Sequence, residues 1–374
     1  MRLRLGALCS VAVVASSLVA VAAETAAEPA QDAEVLRFME RALPFYPGSS
    51  LRIVRDQQEH TPSGAYRMVW LQRDCDSEYL SGMQRLVIDQ ATRTAWVGNV
   101  GQLPIDDMGV DLKQLRTFLD GHLPEVLSRV MRRKVELEWD GGDLRPGALI
   151  PFQLRVHTGY GTYLEPTAIT ADGRYFLLGS SLPFDRDPVE HRRQVLRASE
   201  AVVWDHASDS AKVEIVEFSD FECPGCRSKW PLIKSVLEAQ GDAVQHGFVP
   251  FPLTTIHPWA FRAASAGWCV AELDESLLIP LKELYYSLQR EMDHSEVKPT
   301  ALDFAVAHDL DEQQLEECFL SEPSLNAIHQ CLALGQRMAV SATPTYFVNG
   351  WMIQIPREEW FPAMVERLIA GQDP

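Results

Sequence analysis

Two cysteines separated by two residues, Cys223-Pro224-Gly225-Cys226, constrain this 374-residue chain more than any other feature. Residues 213–218, Val-Glu-Ile-Val-Glu-Phe, are a hydrophobic, β-branched run that predicts a buried strand. Residues 227–240 place apolar side chains at Trp230, Ile233, Val236 and Leu237, the spacing of a helix. The cysteine pair therefore falls at a strand-to-helix junction, with Cys223 at the helix N-terminus and Cys226 one turn in. The free N–H groups and dipole of a helix start favour an anion. A thiolate placed there has its pKa drawn from about 8.5 down to roughly 3.5–7. Cys226, less exposed, can then attack a mixed disulfide formed on Cys223. A structural disulfide and half of a zinc site are the alternative readings. Zinc calls for a second ligand pair at matching spacing, and the chain has no second CxxC.

The compartment is read from the first residues. Arg2 and Arg4 precede an apolar run over 5–21, and Ala20-Val21-Ala22 offers a small-residue cleavage site. That pattern predicts a secretory signal peptide over 1–23, and export to the periplasm. The alternative is an uncleaved anchor, for which the run is short. Cleavage would remove Cys9 and leave six cysteines in an oxidising environment. A net charge of −18 argues against nucleic acid and anionic membrane surfaces as partners.

Residues 24–31 are Ala, Glu, Thr, Pro and Gln, and predict a disordered lead-in. Residues 34–187 form an N-terminal α+β module that reads as a tandem repeat. Each unit opens with a helix (35–43, then 112–130). A short strand follows (51–54 or 135–138), then a second strand (66–71 or 152–156). Each closes on a hairpin, 86–89 with 95–98 and 168–173 with 175–179, and Asp172-Gly173 is a strong turn signal. One larger α+β domain is the other reading. Residues 188–210 are charged and helix-prone, then polar, and predict a linker helix. Residues 211–374 form a second domain. It has a strand over 244–251, a helical block over 258–338 with Pro258 at its first helical position, and strands at 345–348 and 352–355 about an Asn349-Gly350 turn. A last helix covers 357–370.

Three segments follow one another across this second domain: Glu217-Phe218-Ser219-Asp220-Phe221-Glu222-Cys223-Pro224-Gly225-Cys226, then His257-Pro258-Trp259-Ala260-Phe261-Arg262-Ala263-Ala264, then Ala342-Thr343-Pro344-Thr345-Tyr346-Phe347-Val348-Asn349-Gly350. In these residues the domain resembles the DsbA-like branch of the thioredoxin superfamily, an α/β thioredoxin fold with a helical insertion. The resemblance implies a cis peptide before Pro344, facing the two sulfurs; such a bond is costly enough to be a deliberate feature. It also implies that the backbone of Thr343 pairs with an extended substrate chain. Glu217, six residues before Cys223, stands where relatives carry a buried acid that exchanges protons with the inner cysteine. A carboxylate on so apolar a strand is expensive, and a strand-end salt bridge is the alternative. Pro224 and Gly225 set the redox poise. Oxidants of the family often have His at the position of Gly225, so its absence implies a milder oxidant. His257 and Trp259 are candidates for lining the substrate groove, or else for capping and packing. The N-terminal units resemble the small cystatin-like dimerisation domain of DsbC- and DsbG-type isomerases, most over 170–182. Two such units in one chain leave both a homodimer and pairing within the chain open.

Cys75, Cys269, Cys318 and Cys331 remain. Relatives also carry cysteines in the helical block, which suggests a bridge between Cys269 and Cys318, with Cys331 and Cys75 as a second pair or free thiols. Four cysteines allow three pairings, and spacing does not choose. The expectation is an exported thiol–disulfide oxidoreductase. Cys223 and Cys226 exchange, Glu217 relays protons, Thr343 and Pro344 dock unfolded or partly oxidised protein substrates, and a membrane redox partner turns the pair over. It needs no cofactor and no metal. Oxidase, isomerase and reductase stay open, since potentials in such folds span roughly −120 to −270 mV. A chaperone or adaptor in which the redox domain is minor is the alternative.

Overall fold

Alternating side chains in the first half of the chain build one sheet. A computed structural model describes residues 29–61, 64–78, 80–102, 112–131, 133–139 and 149–374; the expected signal peptide lies outside them. Helix α1 (Pro29–Ala42) is followed by β1 (Ser50–Thr61), β2 (Gly64–Asp74), β3 (Gly82–Asp89) and β4 (Thr94–Gln102). Helix α2 (Leu112–Met131) is followed by β5 (Val135–Glu138), β6 (Leu149–Thr158), β7 (Gly161–Thr170) and β8 (Tyr175–Pro183). The order of one helix and four strands is thus written twice. The eight strands run β1-β2-β3-β4-β8-β7-β6-β5, so the second unit mirrors the first. They join where β4 meets β8 antiparallel, from Thr94 opposite Pro183 to Gln102 opposite Tyr175, with Gly98 opposite Gly179 at the centre.

The period of two explains the packing. Val69, Leu86, Ala95 and Val97 face α1, while Ile150, Phe152, Leu154 and Ile169 face α2. Their neighbours Met68, Val87, Trp96, Ala168 and Leu177 form a further core on the opposite face. The sheet curls over that core: Leu149 N donates to Asp89 Oδ2 at 3.2 Å, and Tyr66 Oη to Asp172 Oδ2 at 2.9 Å. Two expectations need correction. Helix α1 starts at Pro29, inside the expected disordered lead-in, because proline is pre-set for a first helical turn. Strand β1 is far longer than 51–54, since β2 offers it a partner along its whole length.

Only the first part of residues 188–210 is helical. Helix α3 (Pro188–Arg197) starts on Asp187, whose carboxylate accepts from the N–H groups of Val189 and Glu190. It is no solvated tether. Arg192 is 1% exposed and donates to the carbonyls of Arg41 and Ala42 at the end of α1, satisfying groups a helix C-terminus leaves free. Strand β9 (Val203–His206) then pairs with the next sheet. Four residues without apolar alternation carry no strand signal; the open edge of that sheet recruits them.

That sheet contains β10 (Val213–Ser219), β11 (Val244–Pro250), β12 (Thr345–Val348) and β13 (Trp351–Ile353), in the order β13-β12-β10-β11-β9. Strands β10 and β11 are parallel and cross over through α4 (Pro224–Gln240). Asn349 and Gly350, both at positive φ, turn β12 into β13. A Cβ on Gly350 would meet the Val189 carbonyl of α3 at 2.0 Å, so glycine is required there. Helices α5 (Ala260–Leu273), α6 (Leu278–Leu288), α7 (Val297–Ala307), α8 (Glu312–Cys318) and α9 (Glu322–Arg337) are the insertion between β11 and β12, and α10 (Phe361–Ile369) ends the domain. Trp259, not Pro258, is the residue before the first turn of α5. The insertion packs on Val216, Phe218 and Phe248, while α4 and α10 cover Val213 and Ile215 on the other face. A disulfide joins Cys269 in α5 to Cys318 in α8, with Cα atoms 5.9 Å apart. Cys75 and Cys331 are free thiols. The two halves touch broadly. Helix α9 lies against β7 and β8, and Tyr160 stacks on Phe261 at 4.5 Å.

Candidate active site

The apolar strand β10 delivers the chain to Cys223, which is the N-cap of α4, with Pro224 at the first helical position. Cys226 is fully buried, and Cys223 is 7% exposed. Both are thiols. Cys223 Sγ lies 3.4 Å from the Thr343 carbonyl oxygen, and Asp220 N donates to Cys226 Sγ at 3.5 Å. The two thiols titrate in opposite directions. A hydrogen bond from Cys226, against the cost of burial, lowers Cys223 to about 6, with contacts from Thr343 and the Cys226 N–H assisting. Burial and the Cys223 charge push Cys226 well above the ordinary thiol range. The Thr343–Pro344 peptide is cis. Pro344 lies over the motif: a Cβ on Gly225 would be in ordinary contact with Pro344 Cδ and Cys223 Sγ, each at 3.5 Å. The structure thus brings Cys223, Cys226, Pro224, Gly225, Thr343 and Pro344 to one place.

Glu217 is fully buried on the face of β10 that α4 covers, and its Oε2 accepts from Lys282 Nζ at 2.8 Å. His246 Nε2 lies 3.4 Å from the same oxygen, an ion-pair separation with poor hydrogen-bond alignment. His246 Nδ1 lies 2.7 Å from Asp205 Oδ1. These form a buried chain, Asp205–His246–Glu217–Lys282. Burial pushes the Glu217 carboxyl up, but Lys282 and His246 overcome it and hold it at about 2. His246 rises to about 9, because Asp205 and Glu217 outweigh burial. Lys282 also sits 3.5 Å over the Trp230 ring. Glu217 thus shares a buried ion pair with Lys282.

Asp220, 1% exposed, organises the approach to Cys223. It accepts from Glu222 N and Leu253 N, each at 2.8 Å, and its Oδ2 lies 2.7 Å from His257 Nδ1. Glu222 accepts from Trp259 N at 2.6 Å. His257 thus lies at the rim of the site, whereas Trp259 is packed into the core. Sequence reasoning missed Asp205, Asp220, His246 and Lys282. Lys282 had a signal, one helical turn beyond Leu278 on the apolar stripe of α6. Asp220 had none beyond its place in the motif.

The family model described as Thioredoxin matches residues 207–367. These residues form a thioredoxin-like domain. Among curated proteins, the Na(+)/H(+) antiporter NhaA 3 of Salinispora tropica is 30% identical over 174 residues, 44% of this chain and 26% of that protein. The probable disulfide bond formation protein D of Bacillus anthracis is 27% identical over 150 residues, 38% of this chain and 67% of that protein. The chain thus spans only about a quarter of the length of the antiporter it matches. Among solved structures, Proteus mirabilis ScsC in a transitional conformation aligns at 19% identity and a TM-score of 0.42, covering 50% of this chain and 81% of its own. The thiol-disulfide exchange protein alpha-DsbA2 of Wolbachia pipientis aligns at 13% and 0.41, covering 50% and 98%. Within the thioredoxin-like domain the matched region contains the cysteine pair, the cis-proline and the whole insertion. The eight-stranded sheet lies before it.

Proposed function

We propose that this chain is an exported thiol–disulfide oxidoreductase that forms or reshuffles disulfides in protein substrates. The carrying observation is the placement of the two thiols: Cys223 is the N-cap of α4 beside the cis Thr343–Pro344 peptide and Cys226 is sealed one turn in, which lowers the outer thiol's pKa and raises the inner one's. In the oxidising direction, a client thiolate attacks Cys223 of the Cys223–Cys226 disulfide, and Cys226 leaves and takes up a proton. A second client thiolate then attacks the mixed disulfide. The client gains an S–S bond, Cys223 departs as thiolate, and the two electrons stay on the protein thiols. The isomerising direction starts from reduced Cys223 attacking a client disulfide, with no net electron transfer. Thr343 and Pro344 dock an extended client backbone beside the sulfur, and no cofactor enters. We assign Glu217 the role of a fixed buried anion rather than a proton shuttle. The basic and apolar start of the chain supports a periplasmic location.

Full-length reduced protein should react with iodoacetamide first at Cys223, with half-maximal rate near pH 6. Titration against glutathione redox buffer then gives its potential, and scrambled ribonuclease separates oxidase from isomerase. Faster labelling of Cys226, or a Cys223 midpoint near the ordinary 9, overturns the assignment. A binding role has one observation in its favour. A cleft of about 680 Å³ lies between the sheet and the thioredoxin-like domain, lined by apolar Met83, Val340 and Met352 and by polar Arg73, Arg85 and Glu165. A pure chaperone would suppress aggregation equally well with Cys223 and Cys226 both changed to Ser.

A further inference from the structure

The Cys223 thiol stands among acids. Asp220 and Glu222 precede it by three residues and one, and neither Pro224 nor Gly225 carries a charge to offset them. Asp220 opposes ionisation of the thiol. The segment that leads into α5 answers this. Three contacts pin it to the cysteine loop: Leu253 N to Asp220, His257 Nδ1 to Asp220 and Trp259 N to Glu222. They bring the His257 imidazole to the rim of the site, 12% exposed. Asp220 bonds the ring directly, and the Cys223 and Glu222 charges also act on it. Arg133, the charge that the N-terminal sheet brings to this segment, bonds Thr254 Oγ1 at 2.8 Å.

We propose that His257, oriented by Asp220, is the counter-ion of the Cys223 thiolate and makes this protein a stronger oxidant than its Pro-Gly dipeptide alone would make it. The ring is suited to this. The Asp220 hydrogen bond, working against burial, raises its pKa above the ordinary 6.5, and the Cys223 and Glu222 charges add to that. Stabilising the thiolate stabilises the reduced protein relative to its disulfide, and a cation beside a thiol lowers its pKa. When a client dithiol reduces the Cys223–Cys226 bond, two electrons enter the pair. Cys226 keeps one proton, the other goes to solvent, and Cys223 remains as thiolate beside the imidazolium. Asp220 is the positioning residue, because it acts through His257.

The inference rests on the redox reading of the same site, and the test separates the two. His257→Gln and His257→Lys are compared with wild type in full-length protein, by thiolate absorbance against pH and by equilibrium with glutathione. The Gln variant should raise the Cys223 pKa and, in buffer well above that pKa in both proteins, shift the equilibrium toward oxidised protein about tenfold for each unit of rise. The Lys variant should restore the low pKa. In intact wild type, proton NMR should find His257 titrating higher in the reduced than in the oxidised protein, since coupling between two sites is reciprocal. This last readout needs no folded variant. An unchanged Gln variant, a Lys variant that behaves like Gln, or equal His257 titrations in both redox states overturns the proposal. If wild type does not exchange with glutathione at all, the redox reading falls and the role of His257 with it.

Discussion

Cys223 and Cys226 share one helical turn, and their difference comes from depth. Cys223 caps α4 beside the Thr343 carbonyl, while Cys226 is sealed beneath it. The same depth makes the buried chain Asp205–His246–Glu217–Lys282 expensive to break. Removing one partner of a buried ion pair costs about 3–5 kcal/mol, because the other charge is left uncompensated. Glu217→Gln should therefore lower the unfolding free energy by that order and leave glutathione exchange rates near wild type. A slowed exchange with unchanged stability would restore Glu217 as a proton carrier. The pH dependence has two sides. Glu217 is held at about 2 against an ordinary 4.5, so its contribution is present above 4.5 and lost as pH falls toward 2. His246 is raised to about 9 from 6.5, so its contribution is present below 6.5 and lost as pH climbs toward 9. Urea unfolding of wild type and His246→Asn across pH 5–9 checks this: the gap between them should shrink above pH 6.5. A constant gap would mean that His246 is not protonated in the folded protein.

Elements were legible where a local pattern suffices. Strands β5 and β12 and the Asn349-Gly350 turn stand where alternation and turn chemistry put them. Strand β9 was not legible, because an edge strand of four residues takes its conformation from the free side of β11 rather than from its own side chains. Helix α3 was read as a helix, but its attachment was not. Its docking to α1 uses the Arg192 guanidinium, buried against two carbonyls, beside an Arg41–Asp187 ion pair. Arg192→Met keeps the bulk and loses those bonds. Calorimetry should then resolve separate transitions for the N-terminal sheet and the thioredoxin-like domain, whereas one undivided transition would show that other contacts carry the coupling. The α5–α8 bridge is the other element-scale device. Changing Cys269 and Cys318 together to Ala should cost about 2–5 kcal/mol by guanidinium unfolding and leave the alkylation profile of Cys223 unchanged. A shifted profile would mean that the bridge also shapes the site.

At the scale of the molecule, the sheet closes on its own pseudo-twofold through β4 and β8. The two units pair within one chain, and we predict a monomer. Light scattering on the full chain tests it, and a dimer mass would show a second interface elsewhere. Helix α9 fixes the thioredoxin-like domain against β7 and β8, with the cleft beside Val340 and Met352 left open. A fragment beginning at Asp187, so that α3 and β9 are kept, should still exchange with glutathione. It should lose most of its activity on scrambled ribonuclease, because reshuffling needs the client held while bonds change. Equal isomerisation by fragment and full chain would remove the sheet from the reaction.

What the chain spelled out by itself is short-range. The spacing of Cys223 and Cys226 before an apolar helix, the alternation of 66–71 and 86–97, and the doubled order of helix and strands are written in neighbouring residues, because backbone geometry couples residues two to four apart. What only the folded chain decided is which distant groups meet: Lys282 on Glu217, His257 on Asp220, Cys269 on Cys318 rather than Cys331, and β4 on β8. Each partner lies tens of residues from the other. Its choice depends on which buried charge, thiol or strand edge is left unsatisfied once the local elements have packed, and burial is a property of the whole fold.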